Sequence, residues 1–336
     1  MPCKSMGENR IMRETAQYPT VINLPHQTRL NLQQAWERVW KAIVKYRWLY
    51  AMMVPGLLYF VLFRYLPLWN AQIAFKDFKP LLGVEASPFA GFKHFVAFFN
   101  SFYFSQLIGN TIIISLLKLV LGMPLAVLLA IGLYETVYKY LARFVQTIAY
   151  MPHFLSWVIM YGVLLMMLSP GSGLINEIIK AAGGTPIAFM TSPQWFRAVI
   201  VGSDMWKETG WSTIIYLAAL MAIDPNLFEA ASVDGASRLQ RIWHISLPGI
   251  LGAMVVGLLL RIGHILDAGF QQIFVLYSLP VYSVGDIIDT WVYRQGILEF
   301  QFSLATAVGL FKGVIGLVLV LFSNALAKRF TSSGIY

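Results

Sequence analysis

The chain has 336 residues, of which 58% are hydrophobic and only 12% charged, more apolar side chain than a water-soluble surface of that size hides. This excludes an ordinary water-soluble domain and makes lipid the solvent. The net charge of +9 does not point to nucleic acid, because the basic residues are scattered among apolar runs and form no aromatic-interleaved patch.

Residues 1–30, with Pro2, Pro19 and Pro25 and no periodicity, read as poorly ordered. Cys3 is the only cysteine, which leaves no intramolecular disulfide. Next, Leu32, Trp36, Val39, Trp40 and Ile43 recur at helical spacing, with Arg38, Lys41 and Lys45 on other faces. That pattern fits an interfacial amphipathic helix and equally a cytoplasmic extension of the first span.

Apolar runs follow at 48–68, 108–133, 144–168, 196–223, 248–276 and 304–326, each meeting the ~20 residues a helix needs to cross a bilayer. The expectation is an all-α membrane protein of six transmembrane helices. The first run begins near residue 48 and is a full span, so it reads as its own insertion signal rather than a cleavable leader. The 15% aromatic content, with 10 Trp, suits anchoring at two interfaces.

An even number of spans puts both ends on one side. The N-tail, the loops after the second and fourth runs and the C-tail hold Arg38, Lys41, Lys45, Arg47, Lys139, Arg143, Arg238, Arg241, Lys328 and Arg329, among others. The opposite set holds Lys76, Lys79, Lys93, Lys180 and Arg294. Cytoplasmic segments retain the basic residues, which predicts cytoplasmic termini and a cytoplasmic 224–247 loop. The chain then divides into a cytoplasmic tail with the amphipathic helix (1–47), a membrane domain (48–327) and a second tail (328–336).

Charges within the runs need polar surroundings, since each costs on the order of 3 kcal/mol at the bilayer centre. Asp204, Lys207 and Glu208 fall at i, i+3 and i+4, and Arg261, His264 and Asp267 are spaced by three, so each set shares a helix face and is expected to compensate internally. Lys207 and Arg261 are expected to face a polar cavity between this chain and a second membrane subunit. Lining a transport path and forming a structural ion-pair network fit these groups equally. Trp206 and Trp211 suit stacking on sugar rings, packing or interface anchoring. Lys118 and Lys312 are also intramembrane, and Gly309 and Gly313 make a GxxxG that suits close helix approach. Three long loops, 76–107, 169–195 and 277–303, lie opposite the termini, and the last carries a short amphipathic pattern in Ile287, Ile288, Trp291 and Val292 beside Asp286 and Asp289.

No Gly-rich loop ending in Gly-Lys-Ser/Thr is present to hold ATP phosphates, the histidines lack metal-ligand spacing, and no Gly-x-Ser-x-Gly nucleophile motif occurs. No catalytic or metal site is therefore expected in this chain.

The loop after the fourth run is the most specific segment. Asp224 is a good N-cap and Pro225 a good first helical residue, Gly235 permits a sharp turn, and Ser237 caps a second helix bearing Leu239, Ile242 and Trp243 that ends at Pro248. Ala230 and Ala231 give the first helix a side of minimal bulk, and Glu229 offers a charge. The run Glu229-Ala230-Ala231, Asp234-Gly235-Ala236 and Ile245-Ser246-Leu247-Pro248 resembles the EAA loop of binding-protein-dependent ABC importer permeases. Segments 206–211, 216–220, 286–290 and 307–312 resemble the permeases for complex polysaccharides related to the larger maltose-importer permease, and within that group they point to the alginate importer.

The resemblance implies a type I ABC importer (MetI-like) fold and a non-catalytic permease subunit in the bacterial inner membrane. It implies a heterodimer with a second permease, two ATPase subunits that bind ATP and Mg, and an extracytoplasmic solute-binding protein that delivers an oligosaccharide. It assigns ATPase coupling to Glu229, Ala230, Ala231, Asp234, Gly235, Leu247 and Pro248. An ion-coupled secondary transporter is the competing class, disfavoured by the absence of visible inverted repeats.

Overall fold

The computed structural model describes residues 32–331, so the expectation for residues 1–30 lies outside the described residues. The described residues fall into two compact units that divide between Pro67 and Leu68. In the first, α1 (Leu32–Lys45) and α2 (Arg47–Phe60) are separated at Tyr46, and a π-turn, Val61–Tyr65, follows. Trp36, Trp40 and Trp48 are exposed.

The second unit is built on α3 (Phe104–Glu135) and α6 (Pro193–Met221), which pack along each other. Between them runs a core of Ala126, Val127, Ala130, Tyr216 and Leu220, continued by Ile114, Phe196 and Ile200. The small residues on α3 let the backbones approach, while Leu116, Leu121, Leu125 and Leu128 on its other faces are exposed, as a lipid-facing surface is. The helix α11 (Phe302–Thr331) packs on the 3₁₀ segment Trp69–Phe75 and on α8 (Leu251–Gly263).

By length and hydropathy, Arg47–Phe75, Phe104–Glu135 and Phe302–Ala325 are each sufficient to cross a membrane, and three bent helix pairs bring the total to six if each pair is one span. Two expected spans are broken. The run 144–168 divides into α4 (Lys139–Tyr150), with its 3₁₀ extension Met151–Phe154, and α5 (Trp157–Leu168), bent by 111°. Pro152 restricts the residue before it and lacks an N–H, and Ser156 starts α5 afresh by accepting a hydrogen bond from the Ile159 amide at 3.3 Å. The run 248–276 ends its first helix at Gly263. A 3₁₀ turn, Ile265–Asp267, follows, then Ala268 at φ 46° and Gly269 at φ 85°, and α9 (Phe270–Leu276) begins.

The 277–303 loop re-enters the bundle. Its helix α10 (Ile288–Tyr293) buries Ile288 and Trp291 against Phe98, Leu107 and Val308. The expected short helix is present, and its apolar side faces the interior. Gly309 and Gly313 have open space around them within the chain, so the expected close approach is not made there. It is made at Gly210, Gly257 and Gly263 instead.

Candidate functional site

The 224–247 loop forms from local rules. The Asp224 carboxylate accepts from the Asn226 amide at 2.9 Å, Pro225 occupies the first turn, and α7 (Pro225–Val233) leaves α6 at 69°. At its end the Ala236 amide donates to the Ala231 carbonyl at 2.8 Å and the Gly235 amide to the Ser232 carbonyl at 3.2 Å. That is a Schellman closure, with Gly235 at φ 76° supplying the left-handed residue. Ser237 and Gln240 make a capping box, and Arg241 Nη1 donates to Ser232 Oγ at 3.0 Å, tying the two helices together. The second helix does not stop at Pro248. It passes through a π-turn, Ile242–Ser246, and breaks at Ile250.

No residue of α7 is buried within the chain. Glu229, Ala230, Asp234 and Gly235 are exposed and Ala231 is half-buried. The Tyr134–Phe228 ring contact, with centroids 5.7 Å apart, braces the helix against the end of α3. A rigid, doubly capped helix presents its small-residue side outward, with Glu229 at its edge. Leu247 is half-buried and Pro248 exposed in the following helix.

The intramembrane charges are brought together, but not in the expected sets. Lys118 on α3 pairs with Asp204 on α6 at 3.0 Å and donates to the Ala268 carbonyl at 3.1 Å and to Gln272 Oε1. Gln272 Nε2 in turn donates to the Ile200 carbonyl and Ser203 Oγ. The left-handed Ala268–Gly269 link therefore lies against a buried ammonium. Lys312 on α11 reaches Asp267 at 2.5 Å and Asp289 at 2.7 Å, holding the other side of the same break. Asp204 and Asp267 thus find their cations on other helices, because i, i+3 geometry is overridden by the shorter interhelical contacts.

Lys207 is held within the chain. Its ammonium is buried against the His153 carbonyl and, at 2.8 Å, the Leu155 carbonyl, filling the acceptors that the α4–α5 break exposes. Glu208 pairs with His153 Nδ1 at 3.0 Å, and the His153 ring stacks on Trp211 at 4.4 Å. Arg261 donates to Ser212 Oγ at 2.8 Å, and His264 Nδ1 lies 3.0 Å from the Leu260 carbonyl. Trp206 is half-exposed and lines two apolar grooves on the outside of α6, not the polar interior.

A cavity of about 900 Å³ opens beside the broken fifth helix. Its polar wall is Asp204, Glu208, Asp267, Asp289, Gln271 and Gln272, and Trp157, Phe270 and Tyr293 supply aromatic faces. Carboxylate and amide acceptors beside flat rings suit sugars, whose hydroxyls donate and whose C–H faces stack. A second pocket of about 250 Å³ shares Asp204, Asp267 and Gly269 and adds Lys118, Arg261 and His264. Sequence spacing singled out neither Asp289 nor the aromatic wall for the cavity. The amphipathic pattern at 286–292 was the available signal.

Beyond the membrane runs, Asp286 is buried and bonds Arg294 Nη2 at 2.6 Å and Thr290 Oγ1 at 2.7 Å, fixing the re-entrant loop. Burial and the neighbouring Tyr282 push the Tyr277 hydroxyl up to about 12.

Residues 122–333 match the family described as binding-protein-dependent transport system inner membrane component. The polygalacturonan/rhamnogalacturonan transport system permease protein YteP of Bacillus subtilis is 45% identical over 294 residues, covering 88% of this chain and 92% of that one. Protein LplB of Bacillus subtilis is 43% identical over 298 residues, covering 88% and 94%. Among solved structures, a chain of a bacterial ABC transporter involved in the import of the acidic polysaccharide alginate superposes with a TM-score of 0.82 at 42% identity, covering 88% of this chain and 99% of that one. A chain of a bacterial alginate ABC transporter in complex with an alginate pentasaccharide-bound periplasmic protein gives a TM-score of 0.83 at 41% identity, covering 89% and 100%.

Proposed function

Because this chain belongs to the family of binding-protein-dependent transport system inner membrane components, we propose that it is a permease subunit of an ATP-driven importer of acidic oligosaccharides. The cargo class is fragments of uronate-containing polysaccharides, polygalacturonan or alginate among them. The subunit pairs with a second permease and two ATPase subunits, which bind ATP and Mg, and receives cargo from an extracytoplasmic solute-binding protein. Both termini and the 224–247 loop lie in the cytoplasm, as the basic residues of those segments favour.

The observation that carries this reading is α7: a helix capped at both ends, with no fully buried residue, and rooted in the long helix that lines the cavity. A rigid element of that kind transmits closure of a separate ATPase to Asp204 and Glu208 on α6. Glu229, Ala230, Ala231, Asp234 and Gly235 form the contact, and Leu247 and Pro248 carry the motion into the fifth span. The cavity acceptors and the aromatic faces of Trp157, Phe270 and Tyr293 support a saccharide as cargo. The ion-coupled reading is disfavoured by the cavity carboxylates, since Asp204, Asp267 and Asp289 are held by lysines.

The test is purification of the chain with its partners, reconstitution into proteoliposomes, and measurement of ATP turnover and uptake with oligogalacturonides and alginate oligosaccharides. Co-purification of an ATPase chain and saccharide-stimulated hydrolysis are expected. Uptake driven by an ion gradient without ATP would refute the proposal.

A further inference from the structure

The pocket of about 250 Å³ holds an unbalanced cation. Lys118, Arg261 and His264 line it together with Asp204 and Asp267. Asp204 is taken by Lys118 at 3.0 Å, and Asp267 by Lys312 at 2.5 Å. Arg261 makes no ion pair among the described residues, and its guanidinium donates to Ser212 Oγ alone, at 2.8 Å. A guanidinium does not deprotonate in a protein, so it remains charged at this depth and requires an anion or water.

Four carboxylates line the pocket and the adjoining large cavity, Asp204, Glu208, Asp267 and Asp289. Glu208 lies 3.0 Å from His153 Nδ1 and 3.9 Å from Lys207, and Lys118, Lys312 and Arg261 are the cations set against the other three. Their placement is uneven. Lys312 serves both Asp267 and Asp289, which leaves the excess negative charge on the wall of the large cavity, while the excess positive charge sits at Arg261. The two spaces meet at Asp204, Asp267 and Gly269. Gly269 has no side chain to narrow that junction, and the Cβ of any other residue would fall 2.5 Å from Lys118 Nζ.

We propose that this pocket is a carboxylate-binding subsite in which Arg261 receives the uronate group of an acidic sugar, so that Arg261 sets the preference for acidic over neutral cargo. This rests on the reading of the chain as a saccharide permease. The sugar hydroxyls and ring face fit the acceptors and aromatic rings of the large cavity, and its carboxylate is repelled there and attracted across the Gly269 junction. The guanidinium fork matches a carboxylate in two parallel hydrogen bonds, which a point-charge ammonium does not reproduce. Lys118 adds positive potential around the anion without leaving its present partners.

The experiment uses the whole importer, with second permease, ATPases and binding protein, in vesicles of neutral phosphatidylcholine. Uptake of an oligogalacturonide is compared with that of its methyl ester of equal length, for the wild type, Arg261→Lys and Arg261→Met. The expected result is a fall of tenfold or more in the acid-to-ester preference in Arg261→Met, with Arg261→Lys between the two. Equal losses for acid and ester would assign Arg261 a structural role and overturn the proposal. Loss of the second permease on purification of Arg261→Met would overturn it too, by showing that a carboxylate of that subunit is the counter-ion. A wild-type preference that appears only with anionic lipid present would place a lipid phosphate there instead. Transport of the ester by the wild type without any preference for the acid sinks this inference while sparing the permease reading, whereas transport of neither saccharide sinks both.

Discussion

Gly210 on α6 lies so close to Ala149 on α4 that a Cβ built on it would stand 2.0 Å from the Ala149 carbonyl oxygen. Backbone rather than a movable side chain is the obstacle, so any larger residue has to push the helices apart. Overpacking typically costs about 1–3 kcal/mol, and a backbone collision of this depth falls at or above the upper end. Gly210→Ala is expected to lower the unfolding temperature in detergent and the amount of protein in the membrane. Gly202, whose Cβ would meet nothing on the same helix, is the control, and Gly202→Ala should be near neutral.

The Schellman closure of α7 isolates a different cost. A Cβ at Gly235 would meet no atom within 4 Å, so the penalty there is the φ of 76° alone. Gly235→Val should strain the turn by about 1–3 kcal/mol and misdirect the helix, whereas Gly235→Asn, which tolerates the left-handed region, should retain most coupling. Glu229→Lys reverses an exposed charge at the proposed ATPase contact. Both Gly235→Val and Glu229→Lys are expected to abolish saccharide-stimulated ATP hydrolysis in proteoliposomes at near-normal membrane abundance. Wild-type coupling in both would remove this loop from the transmission path.

Asp77 supplies a titration. Its hydrogen bond with Lys93, at 2.9 Å, and the nearby His94 hold the carboxyl below the usual value of 3.8, against the opposing effect of desolvation. A lowered value means that the contribution to stability is present above the unfolded carboxylate pKa and lost as pH falls through the folded one. A ¹³C titration of the selectively labelled Asp77 carboxyl should give a midpoint below 3.8 in the wild type, and Lys93→Met should raise it. An unchanged midpoint in Lys93→Met would exclude Lys93 as the cause.

What the sequence revealed follows from how local each cause is. Asp224, Pro225, Gly235 and Ser237 act on residues close to themselves, and both helix starts and the turn between them were legible in the sequence. The end of the second helix, at Ile250 rather than Pro248, was not. Hydropathy located the six apolar runs but not the breaks inside two of them. Pro152 and Ser156 were visible markers of the first break, whereas the second depends on Ala268 adopting φ 46°, which its side chain does not announce. The charges showed only that partners were required. Lys118 meets Asp204 on another helix, and Lys207 is spent on carbonyls freed by a bend that hydropathy does not detect. Helical spacing favours partners three and four residues apart. Tertiary packing offered Asp204 and Asp267 better ones.

The clamp on the broken fifth helix gives the last prediction. Lys118 is buried, and its ammonium joins Asp204, the Ala268 carbonyl and Gln272 Oε1. Lys118→Met leaves a carboxylate, a carbonyl and an amide oxygen without their donor in a low-dielectric setting. Removing one partner of a buried pair costs about 3–5 kcal/mol, and because the Asp204 side chain keeps 19% of its exposure the lower end of that range applies. Asp204→Asn alone leaves the ammonium with neutral acceptors only and should cost less than Lys118→Met. In the double variant neither charge is stranded, so its loss of stability should be clearly smaller than the sum of the single losses. The double-mutant cycle, read as unfolding free energies in detergent, measures that difference. A coupling of about 1 kcal/mol or more is expected for residues in direct contact. Additive losses would mean that Lys118 holds the Ala268 carbonyl and Gln272 on its own account, with Asp204 only a bystander.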